Sequence, residues 1–185
     1  MATFHGVSSV PADNGTNATT TITITPPTSM VSGDLVVVYC QQRGAIGWTV
    51  GLDGGQSWTA IGNNTQTANV SINTFWATYN GTWSVNPRFD NAGGTCTSAV
   101  MVVFRPADNT KVWATEQIAT NANAAAATIT VTGVTPANNE NVTIASWHTA
   151  DDNTWGTLTG TNWTKSTLSA QYRNTSGQDQ SMTIA

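Results

Sequence analysis

Hydrophobic and polar residues alternate with a period of two in several parts of this chain. In the stretch Thr21–Thr25, Ile22 and Ile24 occupy one face and three threonines occupy the other. Ile129 and Val131 repeat the arrangement later in the chain. Strict alternation is typical of a β-strand with one face buried and the other in water. We therefore predict half-buried strands at both places.

Two other stretches are apolar at nearly every position, so a strand built from them has two apolar faces. They are Leu35–Cys40 and Ala99–Phe104. Such a strand is stable when it is covered on both sides, so we predict that these two strands lie in the middle of the fold. We predict further strands at Val70–Tyr79 and Gln180–Ala185, and a weaker one at Asn141–Trp147.

Helical periodicity is nearly absent, because the one helix-favouring run, Asn123–Ala127, is too short to form a stable helix alone. Gly, Asn and Pro separate the predicted strands, as turn residues do. We count about ten strands at this spacing, which indicates a sandwich. The predicted fold is an all-β, antiparallel β-sandwich of jelly-roll-like type. We predict one domain over residues 1–185, in which residues 1–18 form an extended N-terminal arm.

The order of motifs after Pro26 partly repeats after Pro136. Each copy has a proline, a turn, an apolar strand, a loop with one Trp, a second Trp and an aromatic strand. The spacings differ by several residues between the copies. We interpret the repeat as two similar halves of one sandwich, with coincidence as the alternative.

Charged residues make up only 9% of the chain, against about 25% in an ordinary soluble domain. Thr and Asn take their place, which suits pleated surfaces and tight turns. The six basic residues are scattered and the formal net charge is −4. Nucleic acids and membrane surfaces are bound by clustered Lys and Arg, so we predict neither as a partner. The chain also lacks a run of about 18 apolar residues that would span a bilayer.

The N-terminal residues have neither the basic nor the apolar region of a secretion signal. The low-lysine composition nevertheless suits a protein that works outside a cell. Three explanations are open: a signal removed beforehand, another export route, or assembly in a host cytoplasm and release inside a virus particle. Met1 followed by Ala2 favours the last, so we predict a virion location. An extracellular or cell-surface location is the alternative.

The chain has two cysteines, Cys40 and Cys96. Two cysteines in a chain of this length do not make a disulfide framework, and no metal-ligand spacing surrounds either one. We predict two buried thiols, with a disulfide between two strands as the alternative.

The sharpest local motif is Gly51–Trp58. It resembles the Asp-box of sialidases and related propellers at Asp53, Gly55, Ser57 and Trp58, with Ser in place of Thr. In such a turn the Asp accepts backbone N–H bonds, the Gly takes a positive φ and the Trp packs beneath. Propellers repeat the motif in every blade, whereas it occurs once here. We therefore predict a Trp-anchored turn and not a sialidase.

Ionisable residues give weak evidence of chemistry. Asp151, Asp152 and Asn153 form the only acidic cluster, and His148 lies nearby in the sequence. Oxygen ligands could bind Ca²⁺, and a His beside carboxylates could act as a base, but we expect a solvated turn. We predict no catalytic residues, no metal site and no cofactor. A hydrolase using this neighbourhood is kept as a minor hypothesis.

Three tryptophans, Trp48, Trp83 and Trp155, lie among Gly, Thr and Asn and are predicted in loops. Exposed Trp rings can stack on sugars, so these residues could form a glycan platform. They could equally make a subunit interface, or lie in the core or plug the open end of the sandwich. All three alternatives are carried forward.

In order, these motifs resemble a domain that recurs in tailed-phage virion proteins and in secreted bacterial proteins. The matching residues are Thr21–Thr25, Pro26-Pro27, Gly33–Val38, Gly47-Trp48-Thr49, Phe75-Trp76, Val100–Pro106, Thr135-Pro136, Asn141-Val142 and Asn162-Trp163-Thr164. The resemblance implies a jelly-roll-like β-sandwich used for virion decoration, tail fibres or surface attachment. It carries over no catalytic residues.

Two hypotheses of different classes follow. The first is a structural virion protein of a tailed phage, either a head-decoration (cement) or a fibre component. Its partners would be the major capsid protein or other virion proteins and copies of itself, with a trimer favoured. The second is a carbohydrate-binding module or adhesin domain that binds glycans through its loop tryptophans.

Overall fold

The computed structural model describes most of the first two thirds of the chain and parts of the last third. The described residues are 2–8, 12–13, 20–45, 47–66, 70–93, 95–110, 112–121, 129–130, 133–137, 141–151, 153–156, 172–174 and 180–185. Within them all regular structure is β. The strands are β1 (Thr3–Val7), β2 (Ala12–Asp13), β3 (Thr21–Thr23), β4 (Leu35–Arg43), β5 (Trp48–Leu52), β6 (Thr59–Gln66), β7 (Val70–Thr78), β8 (Arg88–Asn91), β9 (Thr95–Arg105), β10 (Ser146–Thr149), β11 (Tyr172–Asn174) and β12 (Gln180–Ile184).

The two doubly apolar stretches form the middle of the largest sheet. Its strand order is β1-β9-β4-β7-β6, and β2 pairs with β9 beyond the end of β1. All pairs are antiparallel, and Leu35 of β4 lies between Phe104 of β9 and Thr78 of β7. We call this the central sheet. The prediction that Leu35–Cys40 and Ala99–Phe104 are central strands is confirmed.

Two smaller sheets, β3-β8-β5 and β10-β12-β11, cover the two faces of the central sheet. Alternate residues of β4 belong to two different hydrophobic clusters because successive side chains point to opposite faces. The first core joins Val36 and Val38 to Phe89 of β8, in the β3-β8-β5 sheet. The second core joins Val37 to Met182 of β12. The molecule is therefore a sandwich of three layers with two cores.

The predicted all-β, antiparallel sandwich is confirmed, whereas the jelly-roll topology stays a prediction. Ile22 and Ile24 are both buried at β3, as the alternation predicts. At the second predicted alternation, Ile129 and Thr130 lie outside any strand, and Val131 lies outside the described residues. β10 begins at Ser146, later than the predicted start at Asn141, and the backbone of Ala145 before it still exchanges two hydrogen bonds with Ala185, at 2.9 and 2.8 Å.

Residues 1–18, predicted as an extended arm, are extended where the structure describes them, but they belong to the central sheet. β9 is long enough to pair with β1 and then with β2. Between the two strands, the backbone N–H of Ser8 donates to the carbonyl of Met101 at 2.9 Å. The N-terminal strands therefore form one edge of the sheet.

Both cysteines lie inside the protein. Cys40 on β4 and Cys96 on β9 are fully buried and are not joined by a disulfide. Burial raises the pKa of the Cys40 thiol well above its usual value, because the thiolate would lose its hydration. The thiol is thus an inert part of the first core, as the two-thiol interpretation predicts.

Truncation of Met182 tests the second core. Met182 is fully buried in it, so Met182→Ala should lower the free energy of unfolding by about 2–5 kcal/mol through lost burial and a new cavity. Val112→Ala is the control, because Val112 is 89% exposed and its truncation should cost less than about 0.5 kcal/mol. Urea unfolding of both variants measures the difference. Equal midpoints would contradict a core on this face.

Candidate functional site

The structure separates the three tryptophans that were predicted as contact residues. Trp48 opens β5 and is only 4% exposed, in the first core. Its backbone N–H donates to Oδ1 of Asn73 at 3.2 Å, which ties β5 to the central sheet. A ring buried in this way offers no face to a sugar or a partner. Of the alternatives for Trp48, the structure places it in the core.

Trp83 closes one end of the first core and is half-buried. Its ring stacks on Tyr79, with centroids 5.2 Å apart, and on Trp58, with centroids 6.4 Å apart. Trp155 is also half-buried, lies outside any strand and is a member of neither core. Trp155 is therefore the one of the three whose ring is set apart from the cores.

The Asp-box-like turn has the structure that its motif predicts. Oδ1 of Asp53 accepts the backbone N–H of Gly55 at 2.8 Å, and Nε1 of Trp58 donates to the Asp53 carbonyl at 2.8 Å. Gly54 and Gly55 both have positive φ, and Trp58 packs edge-on against Phe89 at 5.3 Å. The prediction of a Trp-anchored turn is confirmed.

Gln56 completes this turn from a position that the motif leaves variable. Its buried Nε2 donates to the Gly54 carbonyl at 3.3 Å, Oδ1 of Asn80 at 3.1 Å and the Thr82 carbonyl at 2.7 Å. Its Oε1 accepts the backbone N–H of Asn80 at 2.9 Å. These bonds join the turn to the loop that carries Trp83. Local sequence carried no signal for Gln56, because Asn80 and Thr82, which it joins to the turn, lie more than twenty residues away.

A partly buried ion pair, in which Arg105 is 34% exposed, links the residue before β4 to the end of β9. The carboxylate of Asp34 is 0% exposed and accepts Nε and Nη2 of Arg105, both at 3.0 Å, and the backbone N–H of Val31 at 2.9 Å. Nη2 of Arg105 also donates to the Ser29 carbonyl at 2.8 Å. The fork of the guanidinium matches the two carboxylate oxygens, which makes this pair both strong and specific in geometry. We call it the Asp34–Arg105 clamp.

The clamp lies beside a shallow cavity of about 310 Å³. It is lined by Val31, Ser32, Arg105, Pro106, Ala107 and Asn109. The guanidinium at its margin is already engaged by Asp34, so the groove offers few convergent polar groups for a small ligand. We assign the clamp a structural role and do not assign the cavity to a ligand.

His148 lies between the central sheet and the β10-β12-β11 sheet. Its Nδ1 is hydrogen-bonded to Oε1 of Gln41 on β4. Burial lowers the pKa of His148 from 6.5 to about 3, because a buried imidazolium loses its hydration. Asp151 is exposed and Asp152 lies outside the described residues. A ring that faces the central sheet gives no support to the hydrolase hypothesis.

One edge of the central sheet carries neither charge nor proline. β6 pairs with β7 on one side, and on its other side it pairs with no strand of the described chain. Its residues are Thr, Ala, Ile, Gly, Asn, Asn, Thr and Gln. Natural proteins usually protect such edges with Lys, Pro or a bulge, because unpaired backbone groups bind other strands. Here a bulge at Gly62 is the only one of these devices.

A second exposed region is the segment 112–121, which contains no strand. Trp113 anchors it: its Nε1 donates to the Gly33 carbonyl at 2.8 Å and its ring packs against the second core. Val112 is 89% exposed and Ile118 is 54% exposed. The segment thus presents apolar side chains to the outside of the protein.

Comparisons with known proteins found no match: no family model, no curated protein and no solved structure. Among the residues that the structure describes, none belongs to a helix that could cross a membrane. The same residues contain no group of three or more His, Cys, Asp or Glu side chains placed to hold a metal ion.

The Asp34–Arg105 clamp can be tested against a surface pair of the same chemistry. Arg105→Ala leaves the buried Asp34 carboxylate without its ion partner, and we expect a loss of about 2–3 kcal/mol in unfolding free energy. Arg88→Ala removes the partner of Asp90 from a pair whose side chains are 35% and 28% exposed, and should cost about 0–1 kcal/mol. Chemical denaturation of the two variants gives the comparison. Similar losses in both would show that the clamp is only a surface pair.

Proposed function

We propose that this chain is a structural protein of a tailed-phage virion, a head-decoration (cement) or fibre component that works by adhesion to other protein subunits. The observation that carries the proposal is the β6 edge. Eight consecutive residues with no charge and no proline have their outer backbone groups unpaired by any described strand. A strand of another subunit could add to this edge by main-chain hydrogen bonds.

The neutral composition supports the same mechanism. A chain in which only 9% of the residues are charged has few ions that would lose their hydration in a protein interface. The exposed apolar side chains of the segment 112–121 add a second contact that could bury hydrophobic area. Cores of protein interfaces are depleted in charged residues, which fits both features.

The virion assignment rests on the resemblance, and the structure gives a physical account of its motifs. Asp34 of the Gly-Asp turn and Arg105 of the Arg-Pro motif are partners in the clamp. Trp48 of the Gly-Trp-Thr motif is a core residue. These residues therefore stabilise the scaffold. This supports a protein that acts through the shape of its surface. The partners we propose are the major capsid protein or other virion proteins and further copies of this chain, with a trimer favoured and the virion as its location.

A charge placed on the edge tests the adhesive mechanism. We expect the purified protein to scatter light as a multiple of the monomer mass, and Ala60→Lys in β6 to weaken that association about tenfold or more. Ala60 is exposed, so the added lysine should leave the fold intact. Ala107→Lys, at an exposed loop position, carries the same charge away from the edge and should associate like the parent.

Two results would count against the proposal. The first is a parent protein that stays monomeric at all concentrations and is missing from purified particles. The second is equal association of the Ala60→Lys and Ala107→Lys variants.

Carbohydrate binding remains the second candidate because Trp155 lies outside both cores. We expect that, if glycans bind, Trp155→Ala abolishes the signal on a glycan array through loss of ring stacking. Thr154→Ala, at the exposed neighbouring residue, should leave it unchanged. An array on which the parent protein binds no glycan would end this candidate.

A further inference from the structure

A group of three buried polar side chains and one half-buried histidine lies where the β10-β12-β11 sheet meets the central sheet. Its members are Gln41, Ser98, His148 and Gln180, and we call it the polar seam. Gln41, Ser98 and Gln180 are 0% exposed. Polar side chains in this position are unusual, because the rest of this interface is the hydrophobic second core.

The polar seam holds the two sheets together by two side-chain hydrogen bonds. Gln41 and Ser98 are opposite each other on β4 and β9. Gln41 binds Nδ1 of His148 on β10, and Ser98 accepts Nε2 of Gln180 on β12 at 3.1 Å. β4 is therefore hydrogen-bonded to β10, and β9 is hydrogen-bonded to β12.

The polar seam disfavours the doubly protonated, cationic form of the His148 ring. An amide oxygen can only accept, so the Gln41 contact places the proton of the neutral ring on Nδ1 and leaves a lone pair on Nε2. Nε2 is buried and has no hydrogen-bond partner in the described structure. Protonation would create a buried cation whose new N–H has no acceptor, which is strongly unfavourable.

The described strands around His148 offer no opposite charge. The strands that meet here, β4, β7, β9, β10, β11 and β12, contain no Asp or Glu. Their ionisable residues on or near this face are Tyr39, whose burial raises its pKa, and Arg43, whose Nη1 donates to the Ala150 carbonyl at 2.9 Å. In the register of β11, Tyr172 lies opposite Met182 and Arg173 opposite Ser181. Asp151 follows β10 but is exposed to solvent.

We propose that the polar seam is an acid-sensitive latch: uptake of one proton by His148 releases β10, β11 and β12 from the central sheet. The central sheet and the β3-β8-β5 sheet stay folded together, because the first core lies on the opposite face and contains no seam residue. Release lets water hydrate the imidazolium and the polar atoms of Gln41 and Gln180 that lack partners when the latch is closed.

The direction and size of the effect follow from linkage. The pKa of His148 is about 3 in the closed protein and would return toward 6.5 on release. Above about pH 7 both states are neutral and the latch is unaffected. As pH falls below 6.5, only the released state gains the proton, so the equilibrium constant for release rises about tenfold per pH unit down to about pH 3. At about pH 4.5 we expect release to be about 100-fold more favourable than at about pH 7.

Hydrogen exchange read peptide by peptide tests the latch in the full chain, after correction for the intrinsic pH dependence of exchange. Between about pH 7 and about pH 4.5, peptides that cover β10 and β12 should lose protection about 100-fold, while those covering β3 and β8 keep theirs. His148→Gln cannot take up the proton and should reduce the change to less than about threefold. His5→Gln is the matched control: His5 is the other histidine of the chain, is hydrogen-bonded to the Thr28 carbonyl and should leave the wild-type response unchanged.

Two results would overturn the latch. One is a His148→Gln variant that keeps the wild-type pH response. The other is a wild-type protein in which β3, β8 and β12 lose protection together, since that is global acid unfolding. If β12 of the His148→Gln variant is already unprotected at about pH 7, the test is an NMR pH titration of His148 in the wild-type protein. The His148 ring signals must then stay unshifted down to about pH 4.5 in the closed state, and titration near the ordinary pKa with β12 still protected refutes the proposal.

Discussion

The whole architecture depends on burying both faces of β4 and β9. A strand that is apolar on one face needs one covering layer, but residues 35–42 are buried at every position. Two covering sheets are therefore required, and the chain supplies them from different regions: β3, β5 and β8 from its first half, and β10, β11 and β12 from its second. The first core is aromatic and extensive, whereas the second is smaller and gives way to polar groups at one end.

Hydrophobic periodicity was enough to predict what depends on local sequence. It placed β3, β4, β7, β9 and β12, and the turn chemistry of Asp53 and Trp58 was readable from its motif. Features made by partners far apart in the chain were out of reach. The Asp34–Arg105 clamp and the Gln41–His148 contact each depend on how distant strands are aligned, which cannot be read from a single sequence. Trp48 was predicted in a loop because its neighbours are Gly and Thr, yet its ring packs in the core and β5 starts there.

Three of the residues that carried the resemblance, Asp34, Trp48 and Arg105, shape the scaffold. The clamp secures the turn before β4 to the last residue of β9, and Trp113 adds a bond to the Gly33 carbonyl of the same turn. Outward, the described chain presents a strand edge whose only protection is the bulge at Gly62, and a segment of exposed apolar residues. The polar seam adds a region where one layer is held by polar contacts in place of full hydrophobic burial.

The pairing of β1 with β9 has a consequence for biosynthesis. Thr3 lies opposite Arg105, so β1 can pair only after β9 has also left the ribosome. Closing so large a loop is slow, and during the delay the unpaired edge of a newly made chain is open to the N-terminal strand of a neighbour on the same message. Exchange of this strand between nascent chains would yield entangled dimers with the same hydrogen bonds as the monomer. The rate of translation through residues 14–95 therefore affects the fraction of chains that fold as monomers.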